Sequence, residues 1–263
     1  MNGSTFTPLR LRAALAATIA LGVGWLLIAA PDAGAATKCF GNKPTIKGTN
    51  GKDTITGTKK KDVIVAKGGK DHVQSQNGND LICLGKGDDW AGARGGKDKI
   101  DGADGNDEIH GGGTYKVDPT DRDTMIGGPG NDFLDGRRGE LYDKLNGGPG
   151  DDMLLGGEKV VGGDGDDEID GTGYVNDNGD DVLEGGPGED SITGDNKGTG
   201  ESLIRGGADN DFLDGSKLDD RIFGDEGDDQ LFGNGGNDDL DGGLGTDSCD
   251  QGPGAGTILA CEL

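Results

Sequence analysis

Gly127-Gly128-Pro129-Gly130-Asn131-Asp132-Phe133-Leu134-Asp135 decides how this chain is read. Glycine stands at the first, second and fourth places, aspartate at the sixth, and a large apolar residue at the eighth. The pattern returns at Gly147 to Leu155, Gly162 to Asp170, Gly185 to Thr193 and Gly242 to Asp250. Glycine and aspartate alternate with single apolar residues, so these repeats contain no broad apolar segment. A fold must be assembled from many thin layers, each contributing one or two core side chains.

Outward from that stretch, two blocks keep the nine-residue frame without a break. In the first, units start at Gly48, Gly57, Ala66, Ser75, Leu84, Ala93 and Gly102. Their sixth places are Asp53, Asp62, Asp71, Asp80, Asp89, Asp98 and Asp107, and their eighth places Ile55, Ile64, Val73, Ile82, Ala91, Ile100 and Ile109. In the last block, units start at Gly206, Gly215, Gly224, Gly233 and Gly242, with Asp211, Asp220, Asp229, Asp238 and Asp247 at the sixth place. Leu213, Ile222, Leu231, Leu240 and Cys249 take the inward place there.

The first six residues of a unit suit a tight turn, because glycine adopts backbone conformations other residues resist. The next three suit a very short strand whose central side chain points inward. Two units then make one coil with two opposed strands. Successive coils stack in parallel around a thin apolar core, an all-β architecture.

Composition alone would point elsewhere. There are 57 Gly against 6 Phe and 3 Tyr, and the formal net charge is -25. Few aromatics and strong self-repulsion normally predict disorder. Glycine at every third place, the collagen pattern, is absent. Cations bound at the periodic aspartates offer another route to order, by neutralising charge and tying turns together. The sequence pI near 4.2 argues against nucleic acid and against anionic lipid headgroups as partners.

Residues 1–35 read as a signal peptide. Arg10 and Arg12 open it, an apolar stretch runs from Ala13 to Ala30, Pro31 and Asp32 break it, and Ala33-Gly34-Ala35 is a small-x-small cleavage site. The competing reading is an uncleaved anchor, since the stretch is at the lower limit for a span. Cleavage removes two arginines and one aspartate, and leaves a secreted, extracellular chain with no stable membrane span. Four cysteines remain: Cys39, Cys83, Cys249 and Cys261. An exported chain with an even number points to disulfides. Three pairings are open. Cys39–Cys83 with Cys249–Cys261 is favoured, because each bond would staple one end of the stack. The rest divides into an N-terminal cap over 36–47, a repeat body over 48–250 and a C-terminal cap over 251–263.

The first block is chemically the weaker. Lys60, Lys61, Lys67, Lys70, Lys86 and Lys97 crowd its turns and several glycines are lost. It is expected to hold fewer ions and to rely on packing and the Cys39–Cys83 staple, which leaves Asp71 and Asp80 open between ligand and turn former. Between about 111 and 205 the frame is interrupted near Thr114 to Arg122, Arg137 to Tyr142, Glu158 to Val161, Thr172 to Asn178 and Asp195 to Gly200. Extra residues can bulge from a turn without disturbing the layers, either as a recognition face or as neutral loop variation.

An aspartate closing each glycine turn is a hard oxygen donor, and the turn exposes backbone carbonyls. Several oxygens gathered at every coil suit Ca²⁺, which accepts six to eight in flexible geometry. Zn²⁺ would want His or Cys, and His72 and His110 do not form a pair. These residues resemble the RTX calcium-binding nonapeptide repeat family, whose unit is G-G-x-G-x-D-x-U-x, over roughly 48 to 250. With its amino-terminal signal and cysteine-bearing end the chain is similar to small secreted RTX-like proteins of Gram-positive actinobacteria. The resemblance implies a parallel β-roll with several Ca²⁺ ions held between turns. It puts the ligands first on Asp132, Asp152, Asp167, Asp190 and Asp247, then on Asp211, Asp229 and Asp238, with Asp98 and Asp107 from the first block. Gly127, Gly147, Gly162, Gly185 and Gly206 open the turns concerned.

No H-E-x-x-H or G-x-S-x-G motif occurs in the sequence. His72 and His110 read as solvent-facing. The expected function is calcium binding by a secreted roll with a structural, calcium-responsive or adhesive role and a cell-wall, matrix or surface partner. The alternative is a carbohydrate-active or other hydrolytic enzyme on the same scaffold. That reading needs aromatic rings for sugar stacking, and Trp90 is the main one the repeats offer.

Overall fold

A computed structural model describes residues 38–112, 122–137, 143–172, 181–197 and 200–262. The signal peptide reading, over 1–35, and most of the frame interruptions lie outside these residues. Among the described residues, no helix is long and apolar enough to cross a membrane.

Two parallel sheets face one another. Among the described residues one has twelve strands and the other eleven, and the chain alternates between them. Val63–Gly68 in the first sheet leads to His72–Gln74 in the second, and the chain returns as Leu81–Lys86 beside its starting strand. The architecture is the all-β parallel β-roll expected from the repeats. Register is set by the eighth place. Ile64 pairs with Ile82 and Ile82 with Ile100 in the twelve-stranded sheet. Leu134 pairs with Leu154 and Leu154 with Ile169 in the other. A slip of one residue would turn these side chains out, so the single apolar residue per strand fixes the pairing. One continuous core results, from Ile55 to Leu240. Each fully buried Ile or Leu stabilises it by about 1.5–3 kcal/mol.

The sheet extends into both caps. Ile46–Lys47 pairs with the strand at Val63, and Thr257–Leu259 pairs with the strand at Asp239. The roll is therefore longer than 48–250 at each end. Both favoured disulfides are present, Cys39–Cys83 and Cys249–Cys261. The first belongs to a second apolar cluster, with Val63, Val65 and Leu81, on the outer face of the twelve-stranded sheet.

Turns connecting the sheets are of two kinds. Forward turns run from the twelve-stranded to the eleven-stranded sheet: Gly48–Asp53, Ala66–Asp71, Leu84–Asp89, Gly102–Asp107, and so on to Gly242–Asp247. All have six residues. Return turns carry every interruption of the frame. They leave after Glu108–His110, Phe133–Asp135, Glu168–Asp170 and Ser191–Thr193, and all rejoin the twelve-stranded sheet. The interruption near Glu158 to Val161 is an altered spacing and not an insertion: the return turn is shortened to Gly156, Gly157 and Glu158, and Lys159–Asp164 is itself a strand.

Candidate metal centre

The forward edge carries one aspartate per coil, each at the foot of an eleven-stranded-sheet strand. A single hydrogen bond links each to the next. The backbone N–H of Asp107 donates to Oδ1 of Asp132 at 2.7 Å, that of Asp132 to Asp152 at 2.7 Å, and that of Asp152 to Asp167 at 2.8 Å. The row continues through Asp190, Asp211, Asp229 and Asp247 at 2.8–2.9 Å. It starts at Asp53, which donates to Asp71, as Asp71 does to Asp89 and Asp89 to Asp107.

The other carboxylate oxygen, Oδ2, is buried without a hydrogen-bond partner in Asp107, Asp132, Asp152, Asp167, Asp190, Asp211, Asp229 and Asp247. Its surroundings explain why it matters. Where the turn opens with glycine, the absent side chain lets oxygens from two coils converge. The place a Cβ would take at Gly127 is crowded by Asp132 Oδ2 and by the carbonyl of Gly147, one coil on. The same pair of oxygens meets at Gly102, Gly147, Gly185 and Gly224. At Gly162 and Gly206 it is Oδ2 of Asp167 and of Asp211 that crowds this place. A carboxylate and a carbonyl are both acceptors only, and neither can satisfy the other. The Gly147 carbonyl also accepts the Gly128 N–H at 2.8 Å, so it is Oδ2 that is left uncompensated, which is costly in a desolvated place.

Protons or a cation can compensate it. Burial, opposed in part by the ladder hydrogen bond, pushes Asp107, Asp167 and Asp211 up to about 8. It pushes Asp132 and Asp190 up to about 7, and Asp152 to about 6. Neighbouring aspartates add repulsion. A divalent cation removes that repulsion and takes both oxygens at once, and hard carbonyl and carboxylate donors fit Ca²⁺. Among the described residues no point gathers three or more His, Cys, Asp or Glu side chains in a metal-holding group. The fit is therefore to a site built largely from main-chain carbonyls, with one or two carboxylates per layer.

Backbone conformation agrees. The second and fourth places of these turns take positive φ, as at Gly148 (118°) and Gly150 (133°). A Cβ at Gly148 would collide with the carbonyl of Gly128.

Earlier forward turns differ. Ala66 and Leu84 stand at the first place, and both side chains are fully buried in the core. Hydrocarbon then occupies the space in which the oxygens meet elsewhere. In the first coil, threonines answer the carboxylates: Asp53 Oδ2 accepts from the N–H and hydroxyl of Thr49, and Asp62 Oδ2 from those of Thr58.

Of the residues expected as ligands, eight fall on the forward edge: Asp107, Asp132, Asp152, Asp167, Asp190, Asp211, Asp229 and Asp247. Gly127, Gly147, Gly162, Gly185 and Gly206 open five of their turns. Asp98 and Asp238 lie apart from these, on the return edge. The place before Asp98 is taken by buried Ala93, whereas Gly233 precedes Asp238 and leaves its Oδ2 the same close approach. The nine-residue frame treats odd and even units alike; an eighteen-residue period separates the two edges. Sequence reasoning also missed Glu262. Its Oε2 accepts the N–H of Asp247 at 2.6 Å and ends the row. A shortened last coil takes it out of the frame.

The two histidines sit on the outer face of the eleven-stranded sheet. His72 is exposed, as expected, and stacks on Trp90 at 4.2 Å. His110 is half-buried rather than solvent-facing, held 2.8 Å from Glu108 and 3.7 Å from Asp135. The facing Asp135 carboxylate is the main cause of its raised pKa. Trp90 lies between His72 and His110, so the ring a sugar would stack on is already flanked by two others.

A search of curated proteins finds no match to the chain. The family model for the RTX calcium-binding nonapeptide repeat (4 copies) matches residues 56–91, 85–114, 120–140, 142–158, 175–196, 198–217 and 214–249. With most of its length matched and its turns built from converging oxygens, the chain belongs to the RTX calcium-binding nonapeptide repeat family.

Proposed function

We propose that this calcium-binding roll is a secreted, calcium-responsive structural or adhesive module that is ordered by calcium outside the cell. One observation carries the reading: the forward-edge row of buried Oδ2 atoms from Asp107 to Asp247, each without a hydrogen-bond partner and several of them facing a carbonyl of the next coil. Binding to the folded state alone would draw the chain into the roll. Two disulfides suit an oxidising compartment. The constant forward turns would hold several ions, one site between each pair of adjacent coils. The variable return turns leave the opposite edge for a cell-wall, matrix or surface partner.

Far-UV circular dichroism of residues 36–263 during Ca²⁺ titration, with Mg²⁺ as control, tests the reading. A cooperative gain of β signal with Ca²⁺ and none with Mg²⁺ is expected. A chain fully folded in chelator and unchanged by Ca²⁺ would overturn it.

A further inference from the structure

The last forward turn has no coil above it made from a regular repeat, yet its oxygens are arranged like the others. At Gly242 the place of a Cβ is crowded by Asp247 Oδ2 and by the carbonyl of Ala260. Ala260 thus takes the part that the first glycine of the next coil plays at Gly127 or Gly147. Two residues later, Glu262 takes the part of the next aspartate. Its carboxylate accepts the N–H of Asp247, while its own N–H donates to the Asp247 carbonyl at 2.9 Å. The six residues of an ordinary forward turn are cut to Ala260, Cys261 and Glu262, and the extra methylene of glutamate spans part of the gap. Ser248 and Glu262 form a parallel bridge, which sets this short segment in register on the coil below. Asp247 is buried, and its Oδ2 has no hydrogen-bond partner. Between Ala260 and Glu262 stands Cys261, bonded to Cys249, the inward residue of the last coil.

We propose that Ala260–Glu262 is a surrogate coil that completes a terminal calcium site, with Glu262 as its side-chain ligand and the Cys249–Cys261 disulfide holding it in place. The inference rests on the reading that the converging oxygens of the forward edge bind calcium. Without the segment, Asp247 would face solvent with one carboxylate and the carbonyls of a single turn. With it, the last turn gains a carbonyl and a carboxylate from above, as the inner turns opened by Gly102, Gly127, Gly147, Gly185 and Gly224 do. The disulfide joins the stack to its lid across only 12 residues, so it restrains the segment where the peptide chain alone would fray.

Counting bound Ca²⁺ by equilibrium dialysis tests this on the full chain, alone and with Glu262→Gln, Cys261→Ser or Asp132→Asn. Glutamine keeps an acceptor for the Asp247 N–H but loses the charge, so it separates a ligand from a mere hydrogen-bonded cap. Glu262→Gln and Cys261→Ser are each expected to bind one ion fewer, with the far-UV spectrum in calcium unchanged. Asp132→Asn, in the middle of the row, is expected to lower the count as well. A full count in Glu262→Gln beside a lowered count in Asp132→Asn would overturn the surrogate coil alone. No calcium on the unaltered chain would overturn the reading beneath it.

Discussion

Residues 48–100 and residues 102–250 share one coil but close their turns by different means. In the first section two of the three forward turns begin with Ala66 and Leu84, whose side chains join the core, the third begins with Gly48 and has its carboxylate answered by Thr49, and an outer cluster around Cys39–Cys83 covers the sheet. In the second, glycine opens every forward turn, and oxygens meet where those side chains would be. The contrast shows what a single methyl group decides here. A coil with a side chain at the first place adds that side chain to the core, although Asp71 and Asp89 still keep a buried Oδ2 without a hydrogen-bond partner. A coil without one has a smaller core and an acceptor-lined turn that suits a cation, except where a threonine answers the carboxylate, as Thr49 does beside Gly48.

The largest expected effect of that difference follows from chelation. Hydrogen exchange in EGTA should strip protection from strands between Phe133 and Asp250, while Val63–Gly68 and Leu81–Lys86 keep theirs. Simultaneous loss across the whole roll would erase the distinction between the sections. A second test exchanges their characters one residue at a time. Leu84→Ala should cost about 2–5 kcal/mol in a chemical denaturation series, as a buried leucine truncation does, and leave the calcium count unchanged. Gly147→Ala puts a Cβ against Asp152 Oδ2 and the Gly162 carbonyl, and should lower the calcium count while leaving the first section folded. Opening the Cys39–Cys83 bond by Cys39→Ser/Cys83→Ser should destabilise the first section by roughly 4 kcal/mol for a loop of this length, read as a lowered denaturation midpoint in chelator.

Acid supplies a smaller and opposite test. Burial raises Asp107, Asp167 and Asp211 to about 8 from an ordinary 3.8. A carboxyl raised on folding stabilises the folded state fully below pH 3.8, and that contribution fades as pH climbs through about 8. In chelator, then, β signal from the second section should grow on moving from pH 9 to pH 5. In calcium the trend reverses, since protons displace the ion, and the midpoint Ca²⁺ concentration should rise as pH falls. Circular dichroism at both pH values, with and without calcium, reads both slopes. A calcium-free spectrum indifferent to pH would mean that these carboxyls are not buried in solution.

Much of this was legible in the sequence. One apolar residue at the eighth place, with aspartate two before it, is enough to define strand, turn and register, and the ends of the chain announced their staples through Cys39, Cys83, Cys249 and Cys261. Three features were not legible, for physical reasons. The two edges are distinguished only by which turn follows which sheet, so Asp98 and Asp132 look alike until the coil is closed. The role of Ala66 and Leu84 looks like mere loss of glycine until the first place is seen to face the core. The shortened turn at Gly156 and the cut coil at Glu262 break the frame because backbone register, not residue count, preserves the stacking.

Strands in such a sheet lie about 4.8 Å apart, and the aspartate row advances by one strand per coil. That spacing is shorter than the Debye length, about 8 Å at physiological ionic strength. Neighbouring carboxylates therefore form a one-dimensional lattice in which each site feels the occupancy of the next. An ion entering between two coils relieves repulsion on both sides and fixes the coil on which the following ion must settle. Under the proposed function, occupancy would then spread along the lattice from filled sites, and ambient calcium would be registered as a threshold rather than in proportion.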